Sequence, residues 1–137
     1  MSEDLTALGR RWFEEVWNRR RTETIDELMH PQIRGLIEGG VINNREEFKT
    51  ARAALLAAFP DLHVNVEDCI GQGPSVVVRW TAAGTHTGAA LGLSPTGRAV
   101  SFRGITWMIF RDGKMVEGWD AWNQGALMQS LQPGPRP

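Results

Sequence analysis

The sequence has 137 residues, enough for one domain of ordinary size and short for two. Apolar residues make up 42% and charged residues 23%, a globular balance that excludes a disordered or fibrous chain. Fifteen Lys and Arg against sixteen Asp and Glu leave a formal net charge of −1, which argues against nucleic acid or an anionic membrane as partner.

A small hydrophobic molecule is therefore the expected partner. The one cysteine, Cys69, has no second thiol to pair with, so the fold must rest on its core, as suits a reducing compartment. The N-terminus is polar where a secretory signal is apolar, and no apolar run approaches the roughly 20 residues that span a bilayer. A cytoplasmic location is expected. Six Trp and five Phe with no Tyr point to a large aromatic core or an aromatic cavity.

Leu5, Leu8, Trp12 and Val16 follow steps of three and four, which predicts an amphipathic helix to about Arg19, capped by Ser2 or Asp4. A short helix is expected over Thr24 to Met29, with Thr24 and Glu27 at capping-box spacing and Pro31 as its stop. Ile33 to Ile42 alternates and reads as a short strand or hairpin. Asn43 or Asn44 then caps a further helix, with Phe48, Ala51, Leu55 and Phe59 on one face and Pro60 at its end. Four strands follow: Leu62 to Ile70, Ser75 to Thr87, Arg98 to Arg111 and Lys114 to Trp122. Helices followed by an antiparallel meander make the class α+β, with one domain over residues 1–131 and a disordered tail over 132–137.

Asp112-Gly113 is a two-residue hairpin signal. If Arg111 pairs with Lys114 and the ladder is regular, one face carries Arg103, Ile105, Trp107, Ile109, Val116, Asp120 and Trp122. The other carries Phe102, Thr106, Met108, Phe110, Met115, Glu117, Trp119 and Asn123. Both faces are largely apolar, whereas a half-solvated sheet has one polar face. One face is expected to cover the helices or a cavity and the other a second subunit, giving a homodimer through the sheet.

His30, His63, His86 and Cys69 show no metal-ligand spacing, and nucleophilic triads, phosphate loops and dinucleotide fingerprints are absent. General acid/base chemistry by a carboxylate in an apolar pocket remains, since it requires no motif. Glu117 and Asp120 stand out because they lie in a Trp-rich strand, where desolvation suits a carboxyl to proton transfer. For Glu117 an ion pair with Arg79 or Arg103 is favoured over catalysis, whereas Asp120 is equally suited to a structural role. His86, at the end of a strand, is a candidate for substrate binding or a structural hydrogen bond. Trp80, Trp107, Trp119 and Trp122 are core residues by default and candidates for a flat aromatic cavity wall.

Several ordered motifs resemble one family. These are Phe59-Pro60-Asp61-Leu62-His63, Val78-Arg79-Trp80-Thr81, Gly84-Thr85-His86-Thr87-Gly88 and Pro95-Thr96-Gly97-Arg98, followed by Phe102-Arg103-Gly104-Ile105, Asp112-Gly113-Lys114-Met115-Val116-Glu117 and Trp119-Asp120. Together they resemble the SnoaL-like polyketide cyclases (ester cyclases) of the nuclear-transport-factor-like α+β cone superfamily, over about Leu5 to Leu131. The resemblance implies a cystatin-like cone, with N-terminal helices on a strongly curved, mainly antiparallel sheet enclosing a pocket. It also implies a homodimer and no metal or organic cofactor.

The family's cyclases close a ring by intramolecular aldol addition, and the proton-abstracting Asp matches Asp120. The His that assists it falls near Thr106, which does not titrate, and an acid common in the family is replaced by Asn123. The resemblance thus makes Asp120 the base, with His86, Thr106 or Asn123 as enolate-stabilising donors and Trp80, Trp107 and Trp119 as binding surface. Other members of this fold bind ligands without turnover or hydrolyse epoxides, the latter a role for which Glu117, Asp120 and Arg103 supply the residue types. A regular ladder puts Thr106 and Asp120 on opposite faces unless a β-bulge falls between Glu117 and Asp120, which Gly118 would permit.

Overall fold

A computed structural model describes residues 5–37, 40–89 and 92–132. The expected caps Ser2 and Asp4, and residues 133–137 of the expected tail, lie outside the described residues. Among the described residues, no helix is long and apolar enough to cross a membrane.

The first helix, α1 (Thr6–Trp12), runs on into a π-helical stretch, Phe13–Asn18, where the amide of Arg19 reaches back to the Glu14 carbonyl. The wider turn turns Phe13 and Val16 into the core. Helix α2 (Thr22–Leu28) begins two residues earlier than expected. Its supposed capping box is not formed, because the Thr24 hydroxyl donates to Glu15 and Glu27 is held by Arg11. Nor does Pro31 end it. The chain turns extended at Met29 and Pro31 lies within strand β1 (Met29–Ile37).

Strand β2 (Gly40–Ile42) forms the expected hairpin with β1. Helix α3 (Arg45–Ala58) starts as the sequence suggests: the Asn44 side chain accepts the Glu47 amide at 2.9 Å, and Glu47 accepts the Asn43 amide at 3.1 Å. Strands β3 (His63–Gln72), β4 (Ser75–Thr85), β5 (Ala99–Arg111) and β6 (Lys114–Trp122) match the expected meander. A last helix, α4 (Gln124–Ser130), was not expected; Asn123 caps it by accepting the Ala126 amide.

The six strands form one sheet in the order β2-β1-β6-β5-β4-β3, antiparallel throughout except for the β1–β6 pair. Fold class is therefore α+β with a curved, mainly antiparallel sheet, as expected. The helices cover one face, and the core between them and the sheet includes Trp12, Phe13, Ile25, Phe59, Val78 and Met108.

The β5–β6 hairpin decides which side chains meet. Asp112 and Gly113 both have positive φ, 52° and 76°, as a two-residue turn matched to the strand twist requires. Arg111 pairs with Lys114 and Phe110 with Met115, as in a regular ladder. Ile109 then pairs with Glu117, so Val116 is the extra residue of a β-bulge. Every later pair is moved by one, and the faces listed from a regular ladder are corrected from Glu117 onward. Thr106 faces Asp120, and Trp107 faces Trp119.

The other face of the sheet carries an apolar stripe across all six strands. Successive register partners are Val41, Leu36, Trp119, Trp107, Val77 and Ile70. Trp107 and Trp119 are 49% and 46% exposed there, far above the exposure of a core indole such as Trp12 at 3%.

Candidate active site

Between the helices and the concave side of the sheet lies a cavity of about 270 Å³. Its walls are aromatic. Trp80, Phe102 and Trp122 rise from β4, β5 and β6, with Phe102 stacked on Trp122 at a centroid distance of 4.9 Å and Trp80 edge-on to Phe102 at 6.0 Å. Facing them, Trp12 and Trp17 of the first helical segment pack against Phe48 of α3 at 5.4 and 6.2 Å.

Gly104 makes the sheet wall possible. It pairs with Trp80 on one side and Trp122 on the other, and a Cβ there would lie 2.5 Å from the Trp80 ring and 2.8 Å from the Trp122 Cβ.

In this apolar lining the described polar side chains, apart from the indole N–H groups, are Arg52, Thr106, Asp120 and Gln124. Asp120 is the one carboxylate among them. Its Oδ1 accepts a hydrogen bond from the Thr106 hydroxyl at 2.7 Å, and Thr106 Oγ1 accepts one from the Trp80 indole at 2.9 Å. The direction of this chain is fixed by chemistry. An indole N–H only donates, so Thr106 must accept from it and is left with its own proton to give to Asp120. Thr106 is 8% exposed, which makes the two bonds costly to lose. A carboxylate so held has its Oδ1 fixed against the sheet wall.

The other sequence candidates are placed elsewhere. Trp107 and Trp119 are on the outer face and do not line the cavity: Trp107 alternates with the buried Thr106 and Met108 on β5, and the Val116 bulge sets Trp119 opposite it. It is thus Trp80 and Trp122 that form the indole wall. His86 is fully buried in the segment after β4, where its Nδ1 meets the Thr96 amide and hydroxyl at 3.2 and 3.0 Å and its ring packs on Phe59. It is not among the lining residues.

Asn123 caps α4 and borders a shallow separate recess. Glu117 takes neither sequence role; its carboxylate accepts the Trp119 indole N–H at 3.0 Å on the outer face. Arg103 borders the shallow recess, so Glu117, Asp120 and Arg103 do not converge on one cavity. Among the described residues no cluster of His, Cys, Asp or Glu is arranged to hold a metal.

Sequence reasoning missed Arg52 and Gln124. Arg52 had a visible signal, since it stands four residues after Phe48 and three before Leu55 on the apolar face of α3. Gln124 belongs to the unexpected α4, which brings Leu127 and Met128 to the cavity with it.

Comparison with known proteins agrees with this architecture. Two curated proteins are each 29% identical to the chain: nogalonic acid methyl ester cyclase of Streptomyces nogalater, over 88% of this chain and 92% of that protein, and aklanonic acid methyl ester cyclase AcmA of Streptomyces galilaeus, over 98% and 95%. Among solved structures, a proposed SnoaL-like polyketide cyclase of Jannaschia sp. CCS1 superposes with a TM-score of 0.87 at 24% identity, covering 98% of this chain and 99% of that one. AclR of Streptomyces galilaeus, a proposed hydroxylase, superposes with a TM-score of 0.82 at 31% identity, covering 94% and 96%. The model of the SnoaL-like polyketide cyclase family matches residues 7–131, nearly the whole described chain, and the protein belongs to that family.

Proposed function

We propose that the protein closes a ring in a hydrophobic, polyketide-like carbonyl compound by intramolecular aldol addition, with Asp120 as the base. The observation that carries this reading is one carboxylate, oriented by Thr106 and Trp80, in an otherwise aromatic cavity. Asp120 takes a proton from a carbon next to a carbonyl group, leaving an enolate. The enolate carbon bonds to a second carbonyl carbon of the same molecule, and the new alkoxide recovers the proton from Asp120. No atom is gained or lost, so the chemistry requires neither metal nor organic cofactor. The flat indole and phenyl walls suit a fused-ring ligand.

The names of the two curated relatives supply the substrates for a test. Wild-type protein is incubated with nogalonic and aklanonic acid methyl esters, and products are followed by chromatography and mass spectrometry. A cyclised product of unchanged mass, lost in Asp120→Asn while ligand binding persists, supports the reading. Undiminished turnover by Asp120→Asn removes Asp120 as the base. A second reading, hydroxylation, is favoured by the 31% identity to AclR, and a product that has gained an oxygen atom selects it. Binding without turnover selects a ligand-binding protein of the same fold.

We infer also that a second copy of the chain covers the outer stripe formed around Trp107 and Trp119. Six apolar register partners in a row across a solvent-facing sheet are support for an interface.

A further inference from the structure

Ring closure through an enolate requires a hydrogen-bond donor as well as a base, because negative charge collects on the carbonyl oxygen next to the deprotonated carbon. None of the three donors suggested by the sequence fills that place. His86 does not line the cavity, Asn123 caps α4 beside the shallow recess, and Thr106 gives its one hydroxyl proton to Asp120.

The donor must stand close to Asp120, since the charged oxygen is borne by the carbon adjacent to the one that Asp120 deprotonates. Across the sheet from Asp120, on β5, is Thr106, whose proton is already committed. On the β1 side the lining includes Gly35 and Ile37, and back along β6 it includes Gly118, none of which has a side-chain donor. Forward along the chain are Trp122, its ring stacked on Phe102, and Gln124, the first residue of α4. Arg52 and the Trp12 and Trp17 indoles belong to the helical side of the cavity, and the Arg52 bonds run to Val16 and Thr22, outside the lining.

Gln124 is half-buried, and its carboxamide makes no hydrogen bond to a described residue. Two N–H groups are thus uncommitted on the lining of the cavity. Gln124 stands four residues after Asp120, so their Cα atoms are at most about 14 Å apart. The Asn123 side chain accepts the Ala126 amide at 2.8 Å and its carbonyl accepts the Leu127 amide at 3.2 Å, which fixes the start of α4. A donor at the first position of a capped helix is held in place before the ligand arrives, as stabilisation of developing charge demands.

We propose that Gln124 is a catalytic residue whose carboxamide donates a hydrogen bond to the enolate oxygen formed when Asp120 removes the neighbouring proton. This role rests on the ring-closure reading of the cavity and supplies the donor which that reading lacks. As the C–H bond breaks, its electron pair forms the carbon–carbon double bond, the carbonyl π pair moves onto oxygen, and the proton goes to Asp120. Gln124 transfers no proton; its hydrogen bond strengthens as charge develops on the oxygen. The reacting carbonyl group then points to α4, with the rings of the ligand against Trp80, Phe102 and Trp122.

The test uses the full chain with nogalonic and aklanonic acid methyl esters, and measures kcat and KM for the wild type, Gln124→Leu and Gln124→Glu. In Gln124→Leu kcat should fall about a hundredfold, the scale of one lost oxyanion donor, with a smaller change in KM. Gln124→Glu keeps the size of the side chain but replaces both donors by a charged acceptor, and should be at least as slow. Wild-type kcat in either variant, or a loss confined to KM as a mere lining residue would give, overturns the role. If Gln124→Leu does not fold, Gln124→Glu decides alone. Turnover lost in Asp120→Asn but kept in Gln124→Leu overturns the role of Gln124 by itself. Undiminished turnover in Asp120→Asn, or no cyclised product from the wild type, overturns the ring-closure reading and this role with it.

Discussion

Thr106 and Asp120 stand directly opposite each other on β5 and β6, joined by a 2.7 Å hydrogen bond, because Val116 has no partner of its own. Without that bulge Thr106 would face Trp119, and Asp120 would point to the outer side of the sheet. Thr106 occupies a place where a titrating residue is expected in this family, but its hydroxyl does not exchange protons near neutral pH. It works as a fixed link between the Trp80 indole and the carboxylate.

Thr106→Val should therefore act twice. It strands a buried indole N–H, at a cost of about 1–3 kcal/mol in thermal or denaturant unfolding. It also removes the Thr106 bond that orients Asp120, lowering kcat by about tenfold or more with a smaller change in KM. Thr106→Ser keeps both bonds and should stay close to wild type on both measurements. Equal kcat values for the Val and Ser variants would separate Thr106 from catalysis.

Much of this arrangement is legible in the chain. Apolar periodicity and the caps of α3 give the helices, and Asp112-Gly113 gives the hairpin to the residue. A bulge is harder to read. Val116 is a good strand residue, and nothing in the alternation around it distinguishes a bulged from a regular ladder until the pairing itself is known. That single residue decides whether Trp119 or Asp120 and Trp122 face the cavity. Helix α4 was missed because seven residues are too few to establish a periodicity. Arg52 was passed over because the apolar pattern of α3 draws attention to its neighbours, although a cation within such a stripe is the irregularity that a pocket produces.

Gly104→Ala tests the indole wall. The added methyl group would meet the Trp80 ring, the Trp122 Cβ and the Ala121 carbonyl, at 2.5, 2.8 and 2.9 Å, and two of these three neighbours are backbone or its first side-chain atom. The Trp80 ring must move, which also strains its bond to Thr106. Destabilisation of about 1–3 kcal/mol is expected, with a changed near-ultraviolet circular dichroism signal from the displaced indoles. A variant with wild-type stability and spectrum would show that the two rings are not held by this close approach.

Asp61 joins the turn after α3 to the end of β4. Its carboxylate accepts the Thr85 amide at 2.6 Å and the Thr85 hydroxyl at 2.8 Å, and these bonds, the amide first, hold its pKa below the usual carboxylate range. A group whose pKa is lower folded than unfolded stabilises the fold above its unfolded value and loses that contribution as pH falls towards its folded one. Glu15, held down by Arg11 and Thr24, adds to the same acid limb. Melting temperature should therefore decline below about pH 4. In Asp61→Asn the decline should be shallower and should start from a lower neutral-pH value, a comparison that thermal scans at several pH values make directly.

The outer stripe makes the prediction about assembly. Trp107 and Trp119 are register partners at its centre, flanked by Leu36 on β1 and Val77 on β4. Leaving two half-exposed indoles and their aliphatic neighbours in water is unfavourable, and a copy related by a two-fold axis would bury the same stripe on both chains. Wild-type protein should scatter light at micromolar concentration as a particle of twice the 15.3 kDa chain mass. Trp107→Glu sets a charge at the centre of that surface, close to Glu117, and should give a monomer. Its cavity should be intact, because the Trp107 side chain points away from Asp120, so ligand affinity in the variant separates loss of the interface from loss of the fold. A wild-type monomer in light scattering would instead leave the stripe for a different occupant.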